Sequence, residues 1–410
     1  MFHRFFIALG LVVLTAGSVL AQASTDRAKA VRFSTRFEGA SLGKIVAVGE
    51  NEFRCAVAGQ YDERGRNRQV SWYYFKLENV AQRPLTLTFT ELEGEYNDRP
   101  GAVSKDKADQ PVISYDQQTW FYQTNSSWDE EKKEFTLRFT PEQDTVWVAS
   151  LVPYVHTDLL KCLAEIGRSP HAVVEVIGRT VQGRDLHQVT VTNPDIPAEE
   201  KKVVWLQARQ HAWETGTSFT MEGALRWVIS EEAKAFRDTT IFKFTPMLDP
   251  DGCATGQVRF NANGYDVNRH WDRVDLKHKE FLRLMPEIWY AKKAILAQHA
   301  QQPIAVMVNL HNTKTEYIDT QASDEGSQAL FQKLFDNLQA KTLFDPTRKL
   351  GVRLEKSGDA NSLYHEARVP VALMELRTLK GPKLGRYTTH EDRLKYGGQL
   401  IRVMAETVRE

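Results

Sequence analysis

The sequence predicts an α/β protein in which a mixed sheet covered by helices is preceded by an antiparallel β-sandwich. Two patterns carry that prediction. From about residue 30 to 154, short β-branched or aromatic runs follow one another with turn residues between them and no helical run. From about His156, strand-like and helix-like runs alternate, which argues for a mixed sheet with helices on its faces. The chain has 410 residues, more than one ordinary domain, and divides into a β part over 24–154 and an α/β part over 155–410.

The chain opens with MFHRFFIALGLVVLTAGSVLAQA. Arg4, an apolar core and Ala21-Gln22-Ala23 have the layout of a secretory signal peptide over 1–23, so export to the periplasm or the medium is expected. An uncleaved membrane anchor is the competing reading of the same run. The runs VRFSTRF, KIVAVGE, EFRCAVAG, VSWYYFKLENV, LTLTFTEL, TWFYQTN, EFTLRFT and TVWVASLVPYV are the predicted sandwich strands. Gly43, Gly49, Asn97-Asp98 and Pro141 mark turns between them. Their aromatic residues fall inside the strands, which reads as core packing rather than as a carbohydrate platform.

In the second part the predicted strands are HAVVEVIGRT, LHQVTVTN, KKVVWLQA, TIFKFTPML, PIAVMVNLH and VPVALMEL. Helices are expected near TDLLKCLAEIG, SFTMEGALRWVISEEAKAF, KEFLRLMPEIWYAKKAILAQH, SQALFQKLFDNLQAKT and DRLKYGGQLIRVMAETVRE. GRTVQGRDLH reads as a hairpin turn, because its glycines lack the strand-to-helix setting of a phosphate loop.

Formal charge is zero, with 53 basic and 53 acidic residues and no long basic run. Nucleic acid and anionic membrane are therefore poor partners, and no stable membrane association is expected after signal cleavage. Cys55, Cys162 and Cys253 are widely spaced, which argues against a disulfide framework or a thiolate metal site, and three cannot all pair within one chain. Cys253 reads as a small buried filler.

Four short stretches carry the chemistry: His211-Ala-Trp-Glu214, Asn268-Arg269, His311 and Glu375. His211 and Glu214 offer an imidazole and a carboxylate three residues apart, and His311 ends an apolar run. Two His and one Glu make the three-ligand set of a hydrolytic zinc that leaves one position for water. Glu375 ends another apolar run, where it suits the base that deprotonates that water, and Arg269 suits a substrate carboxylate. Each signal has a plainer alternative: HxxE is short, a strand-end His is commonly a core residue, Arg259 alone reads as a surface cation, and Asn268-Arg269 alone as a solvated dipeptide. Order and context favour the site, since these residues sit where predicted strands end, and open α/β sheets gather their sites there. Asp319 and Glu316, near His311, are candidate partners for a ligand His, or simply loop charges.

These residues resemble a family. ARQHAWETGTSFTMEG is similar to the zinc-binding segment of M14 metallocarboxypeptidases, in their cytosolic-carboxypeptidase-like branch and its bacterial relatives. FKFTPMLDPDGCATGQVRFNANGYDVNRHW, NLHNT and VALMEL resemble the next segments in the family order, from about His171 to the C-terminus. The resemblance implies one zinc per chain on His211, Glu214 and His311, with Glu375 as general base and acid. It also implies that Arg259 steadies the oxyanion and that Asn268 and Arg269 grip a C-terminal carboxylate. Trp213 stands where pancreatic-type relatives carry an Arg. Where they use a Tyr, about twenty residues before the Glu, Arg353 lies near that spacing, and the nearest tyrosine is Tyr364. Glutamate-trimming relatives carry an Arg where this chain reads GDANS (358–362).

The expected function is a zinc metallocarboxypeptidase acting on peptide or protein C-termini. The alternatives are a zinc deacylase of N-acyl amino acids and a non-catalytic binding protein on the same scaffold.

Overall fold

Alternating apolar residues make the first part a pair of facing five-stranded sheets. The computed structural model describes residues 29–103, 109–320, 322–352 and 358–409; the predicted signal over 1–23 lies outside the described residues. One sheet runs Arg32–Ser34, Tyr74–Glu78, Thr145–Ala149, Val112–Ser114, Phe121–Tyr122 in spatial order, and the other runs Ser126–Asp129, Glu134–Phe139, Leu85–Thr90, Glu52–Ala56, Ile45–Ala47. Leu85–Thr90 reads buried at every second residue, the period of a strand with one covered face. The aromatics are core, as expected: Tyr73, Phe75 and Phe89 are each at most 1 % exposed, and Tyr73 stacks on Phe89 at 4.3 Å between centroids.

The sandwich departs from an all-antiparallel plan in one pair. Glu52–Ala56 lies parallel to Leu85–Thr90, because the chain between them leaves the sheet to form part of a third, small sheet and a strand of the opposite face. That small sheet joins Gln60–Tyr61, Arg68–Gln69, Glu93–Glu95 and Pro100–Val103.

The second part is an eight-stranded mixed sheet. We number its strands β1 (Ala172–Arg179), β2 (Asp185–Val191), β3 (Lys202–Ala208), β4 (Thr240–Thr245), β5 (Ile304–Thr313), β6 (Tyr317–Thr320), β7 (Gly351–Val352) and β8 (Val371–Arg377). Their spatial order is β1-β2-β4-β3-β5-β8-β6-β7. β4, β3, β5 and β8 are mutually parallel, while β1 with β2, β2 with β4, and β6 with β8 are antiparallel. β1 and β2 form the hairpin expected of GRTVQGRDLH. Central β3 reads buried from Val203 to Ala208, as a strand covered on both faces must.

The main helices are α1 (His156–Ile166), α2 (Thr215–Ile229), α3 (Pro286–Gln301), α4 (Glu325–Lys341), α5 (Asp359–Ala367) and α6 (His390–Arg409). One long predicted helix is broken in two: Lys279–Leu284 stops before α3, which begins at Pro286. Proline lacks the N–H an interior position needs but is well placed at a first helical residue. α5 forms over GDANSLYHEA, where the sequence has no extended apolar period. Among the described residues no helix is long and apolar enough to cross a membrane.

Residues 31–410 cluster as one compact unit. Trp72, Tyr74 and Val112 of the sandwich share a cluster with Val258 and Trp213 of the α/β part. Trp213 is thus an aromatic joint between the two parts, which accounts for an indole at that position. All three cysteines are buried and free.

α2 and α6 meet by a close backbone approach. A Cβ on Gly223 would lie 1.9 Å from the Leu394 carbonyl oxygen, and one on Gly397 would lie 1.9 Å from that of Thr220. Since α2 starts immediately after Glu214, this contact helps fix the candidate site. Gly397→Ala is expected to lower stability by about 1–3 kcal/mol or more, because the helices must separate. Denaturant unfolding checks this, and an unchanged midpoint would contradict the packing.

Candidate metal centre

The chain runs from β3 to β4 on one side and reaches β5 on the other, so the crevice at the carboxyl ends of β3 and β5 is a topological switch point. His211 follows β3 in that crevice and His311 lies near the end of β5. Between Ala208 and His211 the backbone turns at Arg209, whose φ is +58°. The Arg209 guanidinium is buried and donates to the Ala212 and Tyr154 carbonyls and to Ser218 Oγ. Those bonds tie the turn to α1's approach and to α2, leaving His211 little freedom.

Glu214 is the residue before α2, yet its side chain does not cap the helix. Its carboxylate instead bridges two imidazoles: Oε1 is 2.7 Å from His211 Nδ1 and Oε2 is 3.0 Å from His311 Nδ1. All three side chains are at most 3 % exposed. Burial works to raise the Glu214 pKa, but the two imidazoles outweigh it and hold the group at about 2. The carboxylate is therefore anionic at neutral pH.

The donor set fits a zinc ion. One ligand atom from each of the three residues lies within 4.8 Å of the others, and tetrahedral ligands at ~2.1 Å stand ~3.4 Å apart. The far nitrogens are engaged, which leaves Nδ1 of each ring facing inward. His211 Nε2 is 3.1 Å from Asp266 Oδ1, and His311 Nε2 is 3.0 Å from Gln210 Oε1. Partners of this kind orient a ligand imidazole and fix its tautomer. Gln210 is held in turn by Asn309 at 2.8 Å and lies 3.3 Å from Asp359 at the start of α5.

Asp266 has a second partner. Its Oδ2 accepts from Arg259 Nε at 2.6 Å. Burial pushes the Asp266 carboxyl up, but the Arg259 guanidinium and the His211 ring prevail and hold it well below the usual carboxylate range. One carboxylate thus ties a candidate ligand to the candidate oxyanion cation. Neither Asp266 nor Gln210 was singled out from sequence. The signals were present: Asp266 opens the DVNRHW string, and Gln210 is an amide adjoining a strand-end His.

Arg269 is exposed, not buried, and lines an open cleft of about 630 Å³ together with Arg259, Asp266 and Arg273. One of its nitrogens donates to the Asn268 carbonyl at 2.8 Å. Asn268 itself turns inward: its amide nitrogen is 3.2 Å from His311 Nε2, and its Oδ1 accepts from the Asp359 N–H at 3.3 Å. Glu375 is the direct cross-strand neighbour of His311, in the parallel β5–β8 pair, so both side chains leave the same face.

The remaining candidates lie elsewhere. Asp319 pairs with Arg348 at 2.6 Å, and Glu316 accepts from the Asp345 N–H at 2.9 Å, so neither serves His311. Each lies beyond the end of β5, on or just before β6, whose side chains are committed to the loop leading into β7. The Tyr364 hydroxyl is buried at the start of α4, donating to Asp324 at 2.7 Å. Arg353 lies outside the described residues.

The zinc carboxypeptidase family model, M14, matches residues 159–325, and the model of the cytosolic carboxypeptidase N-terminal domain matches residues 21–151. The chain belongs to the M14 zinc carboxypeptidases. Cytosolic carboxypeptidase 3 of Bos taurus is 28 % identical over 382 residues, covering 86 % of this chain and 37 % of that protein. Cytosolic carboxypeptidase 2 of Homo sapiens is 28 % identical over 303 residues, covering 68 % of this chain and 32 % of that protein. The chain thus spans about a third of the length of these curated relatives. Among solved structures, a metallo-carboxypeptidase from Burkholderia cenocepacia superposes with a TM-score of 0.80 at 20 % identity, covering 93 % of this chain and 99 % of that one. One from Pseudomonas aeruginosa, in complex with (2-guanidinoethylmercapto)succinic acid, gives 0.78 at 19 %, covering 92 % and 99 %. At these identities the match establishes the shared fold.

The relatives overturn one expectation. Export to the periplasm or medium was read from the apolar start, but these curated relatives are named cytosolic carboxypeptidases. A basic residue followed by a short apolar run is a composition that several kinds of segment share, and composition does not fix an address.

Asp266→Asn is expected to weaken metal binding about 10- to 100-fold, since the amide is a poorer acceptor for His211 and no longer neutralises Arg259. Chelator competition measures this, and native affinity in the variant would contradict the orienting role of Asp266.

Proposed function

We propose that this chain is a zinc-dependent carboxypeptidase that hydrolyses C-terminal residues from peptides or proteins. The observation that carries the reading is one constellation. A buried His211-Glu214-His311 cluster lies beside Glu375, with two guanidiniums, Arg259 and Arg269, on the adjoining cleft. Membership of the family supports the same reading.

His211, Glu214 and His311 would hold the zinc ion, which would supply a Lewis acid and lower the pKa of water toward ~7. Glu375 then takes a proton from the attacking water and returns it to the leaving amine. Arg259, held by Asp266, faces the negative charge that develops on the carbonyl oxygen, where a fixed cation favours the transition state over the ground state. Arg269 has N–H groups to spare beyond its bond to the Asn268 carbonyl. A guanidinium meets a carboxylate through a bidentate fork, which suits it to a chain end. In this reading Asn268 works from behind, where its Oδ1 holds the start of α5.

Glu375→Gln tests the proton step. Gln is nearly isosteric but accepts no proton, so turnover is expected to fall about 10²- to 10⁴-fold while zinc content stays near one per chain. A near-native rate would move the base to another residue.

Arg269→Ala tests the exopeptidase step. Charge-assisted hydrogen bonds contribute about 1.5–3 kcal/mol, which corresponds to a roughly ten- to hundred-fold loss of kcat/KM on free-ended peptides. Amidating the peptide's C-terminus should weaken the wild type similarly and add little to the variant's defect. Equal cleavage of free and amidated peptides would point to an endopeptidase, and faster release from N-acyl amino acids would point to a deacylase.

A further inference from the structure

The candidate oxyanion cation is held by a part of the chain far from it in sequence. Gln60, on the first strand of the small N-terminal sheet, faces the backbone of the segment that carries Arg259. Its Oε1 accepts from three successive N–H groups, those of Val258, Arg259 and Phe260, at 3.1, 2.7 and 2.8 Å. Its Nε2 donates to the Phe260 carbonyl at 2.6 Å. A second contact lies a few residues on, where the Glu63 N–H donates to the Gly264 carbonyl at 3.0 Å. Gly264 has φ +87°, and a Cβ there would lie 2.6 Å from the Glu63 nitrogen, so the two backbones meet as closely as glycine permits.

The segment is also gripped from its other side. The Trp213 N–H donates to the Val258 carbonyl at 3.0 Å. Phe260 bridges to Asp266 across a tight turn, in which the Asn261 N–H donates to the Tyr265 carbonyl at 2.8 Å. The gripping sheet is itself anchored: the buried Arg68 guanidinium donates to the Val57, Glu91 and Glu93 carbonyls. Asp62, Glu63, Arg64, Arg66 and Tyr96, in the turns that join the strands of this sheet, line the same cleft as Arg259 and Arg269.

We infer that Gln60 is a positioning residue for the hydrolysis, acting through Arg259, and that the N-terminal sheet thereby completes the active cleft. The inference rests on the carboxypeptidase reading above. An oxyanion cation contributes through preorganisation, and a displacement of about 1 Å can cost a hundred-fold in rate. Asp266 fixes the guanidinium end of Arg259, and Gln60 fixes its backbone end. With both ends held, the side chain has few positions left to sample. This gives a sequence-distant glutamine a role that its own position does not announce.

Gln60→Met keeps the length of the side chain and removes its amide. Its kcat on free-ended peptides is expected to fall roughly ten- to a hundred-fold, with KM within about two-fold and zinc content unchanged. In an Arg259→Ala background the same change is expected to alter kcat less than about two-fold, because the cation it positions is gone. Gln60→Glu keeps the acceptor oxygens and is expected to recover part of the rate. An equal loss in both backgrounds, or no loss in kcat, would overturn the role of Gln60 while leaving the carboxypeptidase reading standing. No turnover by the wild type would overturn that reading, and the catalytic role of Gln60 with it.

Discussion

A carboxylate buried between two imidazoles governs this structure. Glu214, His211 and His311 are almost wholly withdrawn from water, and an unmet buried charge costs several kcal/mol. The surrounding chain is arranged to meet it. The two inner nitrogens share the carboxylate, and the two outer nitrogens are taken by Asp266 and Gln210. Asp266 is satisfied in turn by Arg259. Arg209 ties the turn that presents His211 to the start of α2, and α2 is seated against α6 by glycines. Loosening any of these supports would leave buried polar groups without partners.

The cleft has two walls of different origin. The parallel strands deliver His211, His311 and Glu375 at their carboxyl ends, the usual place for a site in such a sheet. The opposing wall comes from the N-terminal sheets, through the Gln60 contacts and through the aromatic cluster that includes Trp213. Contact between the walls holds the cations beside the candidate metal ligands. Residues of both parts line the cleft in which Arg269 lies.

Much of this was legible in the sequence. Strand and helix periods gave the order of elements, and His211, Glu214, His311 and Glu375 stood at predicted strand ends. What was not legible depends on contacts between distant segments. Gln210 and Asp266 look like ordinary polar residues until the fold sets them against the rings. Gln60 is 199 residues from Arg259, beyond any local pattern. The parallel pairing of Glu52–Ala56 with Leu85–Thr90 is likewise a matter of topology, since side-chain alternation is the same for either strand direction. The exposure of Arg269 is also a product of the fold, which leaves it open to the cleft. Asp319 and Glu316 lay close to His311 in sequence, but the chain turns away and pairs them with another loop.

The most direct measurement is X-ray absorption at the zinc edge on the metal-loaded protein. The atoms expected around the zinc are two imidazole nitrogens and one or two carboxylate oxygens at about 2.0–2.2 Å, with one further light atom and no sulfur. The imidazole scattering should diminish by about half in His311→Ala. A shell containing sulfur, or one without imidazole, would contradict the His211-Glu214-His311 centre on which the rest depends.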